Sequence, residues 1–239
     1  MSSPVKSLPS ISVVITTYQR PEFLNSALSS VREQSVQAFE VIVINDSPNF
    51  DYSSCNELVS LSSAKIINTL GSKGANHARN QGVKLATGDI VAFLDDDDIW
   101  LPDYLCQVLR EYASDTKVMG TLCGKRIMER QEIEKVNMAA FLTKIELQKG
   151  NTYCGMSGFT AKKECLKIIP FDETLKNAQD WDIYIRFFQS DLCVKNISLP
   201  LYLYRTDVNS GITKTTQTMK PKDALHRFDA AIKHRAWLG

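Results

Sequence analysis

Four consecutive carboxylates, Asp95-Asp96-Asp97-Asp98, are the residues of this 239-residue chain best placed to do chemistry. Left unpaired, each neighbouring couple repels by about 3–4 kcal/mol at an effective dielectric near 20. A bound cation removes that penalty, and carboxylate oxygens suit Mn2+ or Mg2+. A calcium-loop reading fails, because such a loop needs Gly at its sixth position and Glu at its twelfth. The twelfth residue counted from Asp95 is Cys106. A mere solvated turn has no need of four acids attached to the apolar run Ile90-Val91-Ala92-Phe93-Leu94.

Other groups could work with the acids. Asp180 opens an amphipathic stretch beside Trp181. Apolar neighbours raise a carboxylate's pKa towards that of a useful general base, while a helix N-terminus favours its anion. By itself, an Asp there reads equally as a helix N-cap. Thr16-Thr17-Tyr18-Gln19-Arg20 and Asp46 suit a nucleobase: an aromatic ring can stack on it, and a carboxylate can accept its N–H groups. Taken alone, Asp46 is also an ordinary strand-end turn residue. Lys73 and Arg79 flank a glycine-bracketed turn and a helix start, a place that suits phosphate.

The elements that must position these groups follow from periodicity. Residues 11–17 and 39–44 cluster Val and Ile as strands, and 64–68 reads as a third. The run 90–94, introduced by Gly88-Asp89, reads as a buried strand of a parallel sheet, with its acids at the carboxyl end. Helices are expected from Pro21 to Glu33, since proline favours a first helical turn, at 56–61 and at 75–85. The alternation predicts a doubly wound, mostly parallel α/β sheet, whose ligands bind where the strand order reverses. Thr16 to Arg20, Asp46 and Asp95 to Asp98 then share one edge. Beyond Pro102 the spacing predicts a helix to about Tyr112, a strand over 118–128, a short helix over 139–147 and extended chain over 155–161. A helix over 179–189, with Trp181, Ile185 and Phe188 at core spacing, and two short strands over 192–204 complete the pattern.

Net charge +1 and 23% charged residues leave no excess for a polyanion, so nucleic acid is not an expected partner. Six scattered cysteines without a C-x-x-C pair argue against a zinc or redox motif and for reduced thiols in a cytoplasmic protein. No apolar run approaches the ~20 residues of a membrane span, and no secretory signal is visible.

Several motifs occur together in one order: Val13-Val14-Ile15-Thr16-Thr17-Tyr18-Gln19-Arg20-Pro21, Val41-Ile42-Val43-Ile44-Asn45-Asp46-Ser47, and Gly74-Ala75-Asn76-His77-Ala78-Arg79-Asn80 with Gly82. Ala86-Thr87-Gly88-Asp89 follows, leading into Phe93-Leu94 and the four acids, and then Gln179-Asp180-Trp181-Asp182. As a set they resemble the inverting glycosyltransferases of family 2, with the GT-A fold, over about residues 11–210. The resemblance implies one domain over 11–215 between a tail (1–10) and a helical extension (216–239), with a nucleotide-binding half to 113 and an acceptor-binding half from 114. It implies a nucleotide-diphospho-sugar donor, a UDP-sugar first of all, and a hexose passed to a hydroxyl of a glycan or lipid-linked saccharide in bacterial surface polysaccharide synthesis.

Carried over residue by residue, the resemblance has Thr16, Tyr18, Arg20 and Asp46 hold the base, with Arg79 near base or diphosphate. Asp95 and Asp96 lie at ribose and metal, Asp97 ligates Mn2+ or Mg2+, and Asp180 is the general base. Residues 154–159 are expected in the donor-sugar pocket. Two positions depart from the family: Gln179 stands where Glu is common, and Asp207 where many relatives have His. A catalytically silent sugar-nucleotide or cation-binding module is the competing reading, which retention of Asp180 opposes. A nucleotidyltransferase ranks last, because the first strand does not run into a glycine-rich phosphate turn. The C-terminal stretch, with Ala224, Phe228, Ala231, Ile232 and Trp237 near helical spacing, reads as a helix packed on the domain. The alternative is a basic face carrying Lys233 and Arg235 against an anionic membrane.

Overall fold

The computed structural model describes residues 8–206, 226 and 228–239; Asp207, Ala224 and the cationic Lys222 and Arg227 lie outside them. Strand β1 (Ile11–Thr17) is buried along its whole length. It pairs in parallel with β2 (Glu40–Asn45) on one side and β4 (Ile90–Asp95) on the other. With β3 (Ala64–Asn68) outside β2, the order is β3-β2-β1-β4. The sequence has to turn back between β3 and β4, so the crevice of a doubly wound sheet opens above the ends of β1, β2 and β4. The unbroken Val and Ile runs of β1, β2 and β4 suit strands covered on both faces. Helices α1 (Pro21–Arg32), α2 (Asn56–Ser60) and α3 (Ala75–Leu85) supply the connections.

Helix α3 lies close enough to β1 that size matters at one position. A β-carbon on Gly82 would stand 2.3 Å from a Val14 methyl. Replacing Gly by Ala gains about 1 kcal/mol of helix propensity, but overpacking a filled core costs roughly 1–3 kcal/mol. Gly82→Ala is therefore expected to lower the urea unfolding midpoint, and an unchanged midpoint would show that Val14 moves aside freely.

Beyond β4 the sheet turns mixed. β4 pairs antiparallel with β8 (Thr160–Lys162), and β8 with β6 (Gly120–Ile127). β6 runs parallel to β9 (Val194–Tyr204), whose far edge meets β5 (Ile99–Trp100). β7 (Arg130–Lys135) folds back on β6. Helix α4 (Tyr104–Ser114) packs on this half, and α6 (Lys163–Ile168) follows β8 directly.

Several second-half expectations need correction. Residues 192–204 hold one strand, β9, in place of two short ones. Its ladder to β6 slips around Gly124, which pairs with Pro200, a residue with no N–H to give the sheet. The helix expected over 139–147 shrinks to α5 (Lys144–Gln148), capped by Thr143. Its upstream residues instead serve β9, with Phe141 bridged to Lys195 and Asn196 donating to the Ala139 carbonyl at 2.8 Å. Residues 155–161 are extended only at the end, because Met156–Gly158 forms a 3-10 turn. In α7 (Gln179–Gln189) the fully buried residues are Asp182, Ile183, Tyr184, Ile185 and Phe187. Trp181 and Phe188 are only partly buried, covered by α5 and by α8 (Asp229–Leu238). The Trp181 indole donates to the Leu147 carbonyl at 2.9 Å, and the Phe188 ring meets Trp237 at 5.7 Å.

Helix α8 packs on α7, but through a face that shares only part of the predicted stripe. Ala230 and His234 point inward, while Phe228 and Ile232 stand 57% and 60% exposed. His234 Nε2 meets Asp182 Oδ1 at 2.7 Å, and Lys233 bridges Asp172 at 2.6 Å and Asp182 at 2.8 Å. Polar pairing with α7 thus stands beside the Phe188–Trp237 contact, and of the predicted stripe Trp237 packs inward while Phe228 and Ile232 do not. No helix among the described residues is long and apolar enough to cross a membrane.

Candidate active site

Strand β4 ends at Asp95, and the turn that follows, closed by the Asp98 amide on the Asp95 carbonyl at 3.1 Å, sorts the four carboxylates. The Asp95 and Asp97 side chains are partly exposed at the cleft, whereas Asp96 and Asp98 are buried. Asp96 accepts from Thr17 Oγ1 at 2.6 Å and from Arg20 Nε at 3.2 Å, and a second guanidinium nitrogen closes the ion pair. Arg20 also reaches Asp97 Oδ2 at 3.0 Å. Tyr52 supports Thr17 from behind, with its hydroxyl 3.1 Å from Oγ1. The intervening Gln19 has φ +54°, a left-handed conformation costing a non-glycine residue roughly 1–2 kcal/mol. Its amide is tied to Ser47 Oγ at 2.9 Å. This sharp turn leaves Tyr18 with 47% of its surface open at the cleft edge. Thr16, nearly buried, lies in register with Asp95.

Asp98 secures the loop from beneath. It accepts from Ser157 Oγ at 2.6 Å and from the Arg205 amide at 3.1 Å. Ser157 in turn accepts from the Asp95 amide at 3.1 Å, and its carbonyl takes the Trp100 indole N–H at 2.7 Å. The 154–159 segment thus forms the floor under the acids. Burial, followed by repulsion from Asp97 and Asp95, holds Asp98 well above the usual carboxylate range. Burial also raises Asp96, to about 7, against the opposing charge of Arg20. Asp97 is raised by burial and then by its neighbour Asp95. Burial and mutual repulsion thus disfavour full ionisation of the loop, and Arg20 offsets this only in part.

Arg79, on α3 and only 4% exposed, joins the two halves of the site. It donates to Asp95 Oδ1 at 2.7 Å and, from its other terminal nitrogen, to Gln179 Oε1 at 2.9 Å and Asn76 Oδ1 at 3.1 Å. The neutral Gln179, where the family often has Glu, is thus an acceptor for this buried cation. Asp46 sits under the 71–74 turn. It accepts from the Thr69 hydroxyl at 2.9 Å and from the amides of Lys73 at 3.1 Å and Gly74 at 2.7 Å. Its carboxylate therefore shapes the turn that starts α3 and carries Arg79.

Asp180 lies in the first turn of α7, after Ala178, which is held at φ +51°. Its Oδ1 accepts from the Trp181 amide at 2.8 Å and its Oδ2 from Asn151 Nδ2 at 2.7 Å. Burial raises its pKa above the usual value, against the Trp181 N–H, the positive charges of Lys125 and Arg79, and the Asn151 amide. One chain of contacts therefore runs from Asp97 through Arg20, Asp96 and Thr17, and another from Asp95 through Arg79 to the residue beside Asp180. Sequence reading included Thr17, Asp98 and Ser157 only as members of the runs 16–20, 95–98 and 154–159, and missed Tyr52 and Asn151 as parts of this assembly. Nothing in Gly150-Asn151-Thr152 marks Asn151.

Among the described residues no three His, Cys, Asp or Glu side chains are gathered into a metal cluster. The residues present still fit Mg2+ or Mn2+. Asp95 and Asp97 are each held by an arginine through one oxygen, remain open to the cleft, and repel each other. One or two carboxylates completed by substrate phosphates and water are the usual donor set for Mg2+.

A doubly wound half ending in an acidic loop, followed by a mixed-sheet half that brings up a second carboxylate, is the GT-A glycosyltransferase architecture. It matches S. aureus TarS in complex with UDP-GlcNAc (TM-score 0.75, 18% identity), covering 94% of this chain and 66% of that one. It also matches the mannosyltransferase PcManGT from Pyrobaculum calidifontis in complex with GDP-Man and Mn2+ (TM-score 0.71, 18% identity), over 95% of this chain and 65% of that one. Against these solved chains it spans just under two thirds of their length. Residues 12–167 match glycosyl transferase family 2, and the chain belongs to that family. Among curated relatives, the amylovoran biosynthesis glycosyltransferase AmsB of Erwinia amylovora is 30% identical over 94% of this chain and 78% of its own. The putative colanic acid biosynthesis glycosyl transferase WcaA of Escherichia coli is 27% identical over 76% and 67%.

Proposed function

We propose that the protein is a metal-dependent, inverting hexosyltransferase that moves a sugar from a nucleotide-diphospho-sugar, a UDP-sugar first of all, to a hydroxyl of a saccharide or lipid-linked saccharide. The observation that carries this reading is the Asp95–Arg79–Gln179 link. It sets a carboxylate of raised pKa, Asp180, one residue from the partner of the donor-side acid. Tyr18 offers an open aromatic face for the base, and Thr16 lines the strand end beside it. Arg20 and Asp46 act by holding the acidic loop and the 71–74 turn in place, and Asp96 acts through Arg20. Asp95 and Asp97 would hold Mn2+ or Mg2+, which when bound offsets charge on the departing diphosphate. Asp180 accepts the proton of the acceptor hydroxyl, which attacks the anomeric carbon from the face opposite the diphosphate. Configuration at that carbon inverts.

Relatives named for amylovoran and colanic acid biosynthesis support a surface polysaccharide as the product. Structural neighbours with UDP-GlcNAc and with GDP-Man and Mn2+ support a nucleotide-sugar donor. The test is a screen of UDP- and GDP-sugars for transfer or hydrolysis with Mn2+ present. Absence of turnover with every donor, together with donor binding, would favour a silent binding module.

The reading extends to a cytoplasmic protein touching an anionic membrane, through a surface other than the one centred on Lys233. That lysine is engaged with Asp172 and Asp182, whereas Phe228, Ile232 and Arg235 follow i, i+4, i+7 spacing and are exposed. Apolar groups flanked by a cation suit a lipid interface, where each cation adds about 1 kcal/mol. Sedimentation with anionic vesicles at low salt is expected, with release at high salt and loss in Ile232→Asp/Arg235→Glu. Equal recovery in the supernatant with anionic and neutral vesicles would rule this contact out.

A further inference from the structure

Asp180 is held by a residue that belongs to no motif of the chain. Asn151 lies in the loop after α5 and is exposed, yet both its side-chain polar atoms are committed. Its Oδ1 accepts the Tyr153 amide at 3.2 Å, an Asx turn that fixes which end of the amide is oxygen. Nδ2 then donates one hydrogen to the Cys154 carbonyl at 2.7 Å and the other to Asp180 Oδ2 at 2.7 Å. With Oδ1 of Asp180 taken by the Trp181 amide, both carboxylate oxygens have a fixed donor.

We propose that Asn151 is a positioning residue for the base, its turn-locked amide fixing Asp180 Oδ2 so that the carboxylate's remaining lone pairs face the incoming hydroxyl. This rests on the reading of Asp180 as the base. A carboxylate tied at one oxygen only rotates about its Cβ–Cγ bond, and misorientation of a proton acceptor costs rate without costing donor affinity. Because the bond is formed to the anion, it also favours the ionised state. The other groups facing Asp180 are the cations Lys125 on β6 and Arg79 on α3, together with Tyr184 and Cys154, whose own pKa values burial pushes upward. Of these, only Cys154 touches Asn151, through its backbone carbonyl.

Two variants separate positioning from loop structure. Asn151→Ala removes every contact, whereas Asn151→Asp keeps an oxygen for the Tyr153 amide and loses only the donors. The carboxyl of Asp180 is titrated by 13C NMR in the resting protein, with Asp180→Asn assigning the signal. In parallel, the pH dependence of hydrolysis is measured for UDP-glucose, UDP-GlcNAc and GDP-mannose with Mn2+, water acting as acceptor. Both variants are expected to titrate Asp180 at higher pH than the parent, Asn151→Asp further because it adds a negative charge. Both should lower kcat about tenfold at little change in KM for the nucleotide sugar. Superimposable titrations in the parent and both variants would overturn the proposal, as would a rise in KM at constant kcat. Full activity of Asp180→Asn would instead overturn the base assignment, so the two failures are told apart.

Discussion

Asp180→Asn is expected to cut kcat by roughly 10²–10⁴ while leaving donor affinity within about twofold. The amide is nearly the same shape, and one end of it can still accept the Trp181 amide or the Asn151 donor. What it cannot do is take a proton from an attacking hydroxyl. The donor side is insulated from the change, because Arg79 is anchored by Asp95, Asn76 and Gln179 and not by Asp180 itself. Calorimetry with UDP and Mn2+, set beside steady-state rates, checks both halves of the expectation. Binding lost together with rate would make Asp180 a structural residue of α7. In the parent the acid limb of the rate profile should lie above the ordinary Asp range, since the base works only as the anion and burial raises its pKa.

The sheet's first half was legible almost to the residue, and physics explains why. β1, β3, α3 and α7 have the predicted bounds; β1, buried along its length, is a continuous Val and Ile run, while β3 is a largely exposed edge strand marked by Ile66-Ile67. The second half was legible only in outline. Its strands are short, and β5 is two residues long, too few for periodicity to register. β9 is interrupted at Pro200, and residues 139–142 spend their backbone on β9 where their composition pointed to helix.

The site shows the same division. Chemistry-bearing residues on strand ends could be named, because a strand end is a fixed place in the fold. Their partners could not: Arg79 meets Gln179 across 100 residues of sequence, and Asn151 reaches Asp180 from a loop without a motif. Composition left the carboxylates as one cluster, and the resemblance set Asp95 and Asp96 at ribose and metal with Asp97 as a metal ligand. In the structure, the turn after β4 points Asp96 and Asp98 inward as supports and leaves Asp95 and Asp97 as the pair able to meet a ligand.

That pairing makes the metal prediction specific. Excess chelator is expected to abolish turnover, with recovery on adding Mn2+ or Mg2+, and Asp97→Ala to lose roughly a thousandfold in rate together with metal and UDP affinity. The same substitution should not weaken the fold. Asp97 is partly exposed, and its charge, with that of Asp95, raises the pKa values of Asp96 and Asp98. Removing it gives up one Arg20 contact but relieves repulsion among neighbouring acids, and the Arg20–Asp96 pair remains. Activity should therefore fall while the unfolding midpoint in metal-free buffer holds or rises, the signature of a charge kept for a ligand and not for stability. Asp96→Asn should do the opposite, lowering the midpoint because Arg20 loses its buried counter-charge and the amide leaves only one acceptor oxygen for Arg20 and Thr17. Full turnover in excess chelator, or a drop in stability for Asp97→Ala equal to that for Asp96→Asn, would show that the acidic loop is built for structure alone.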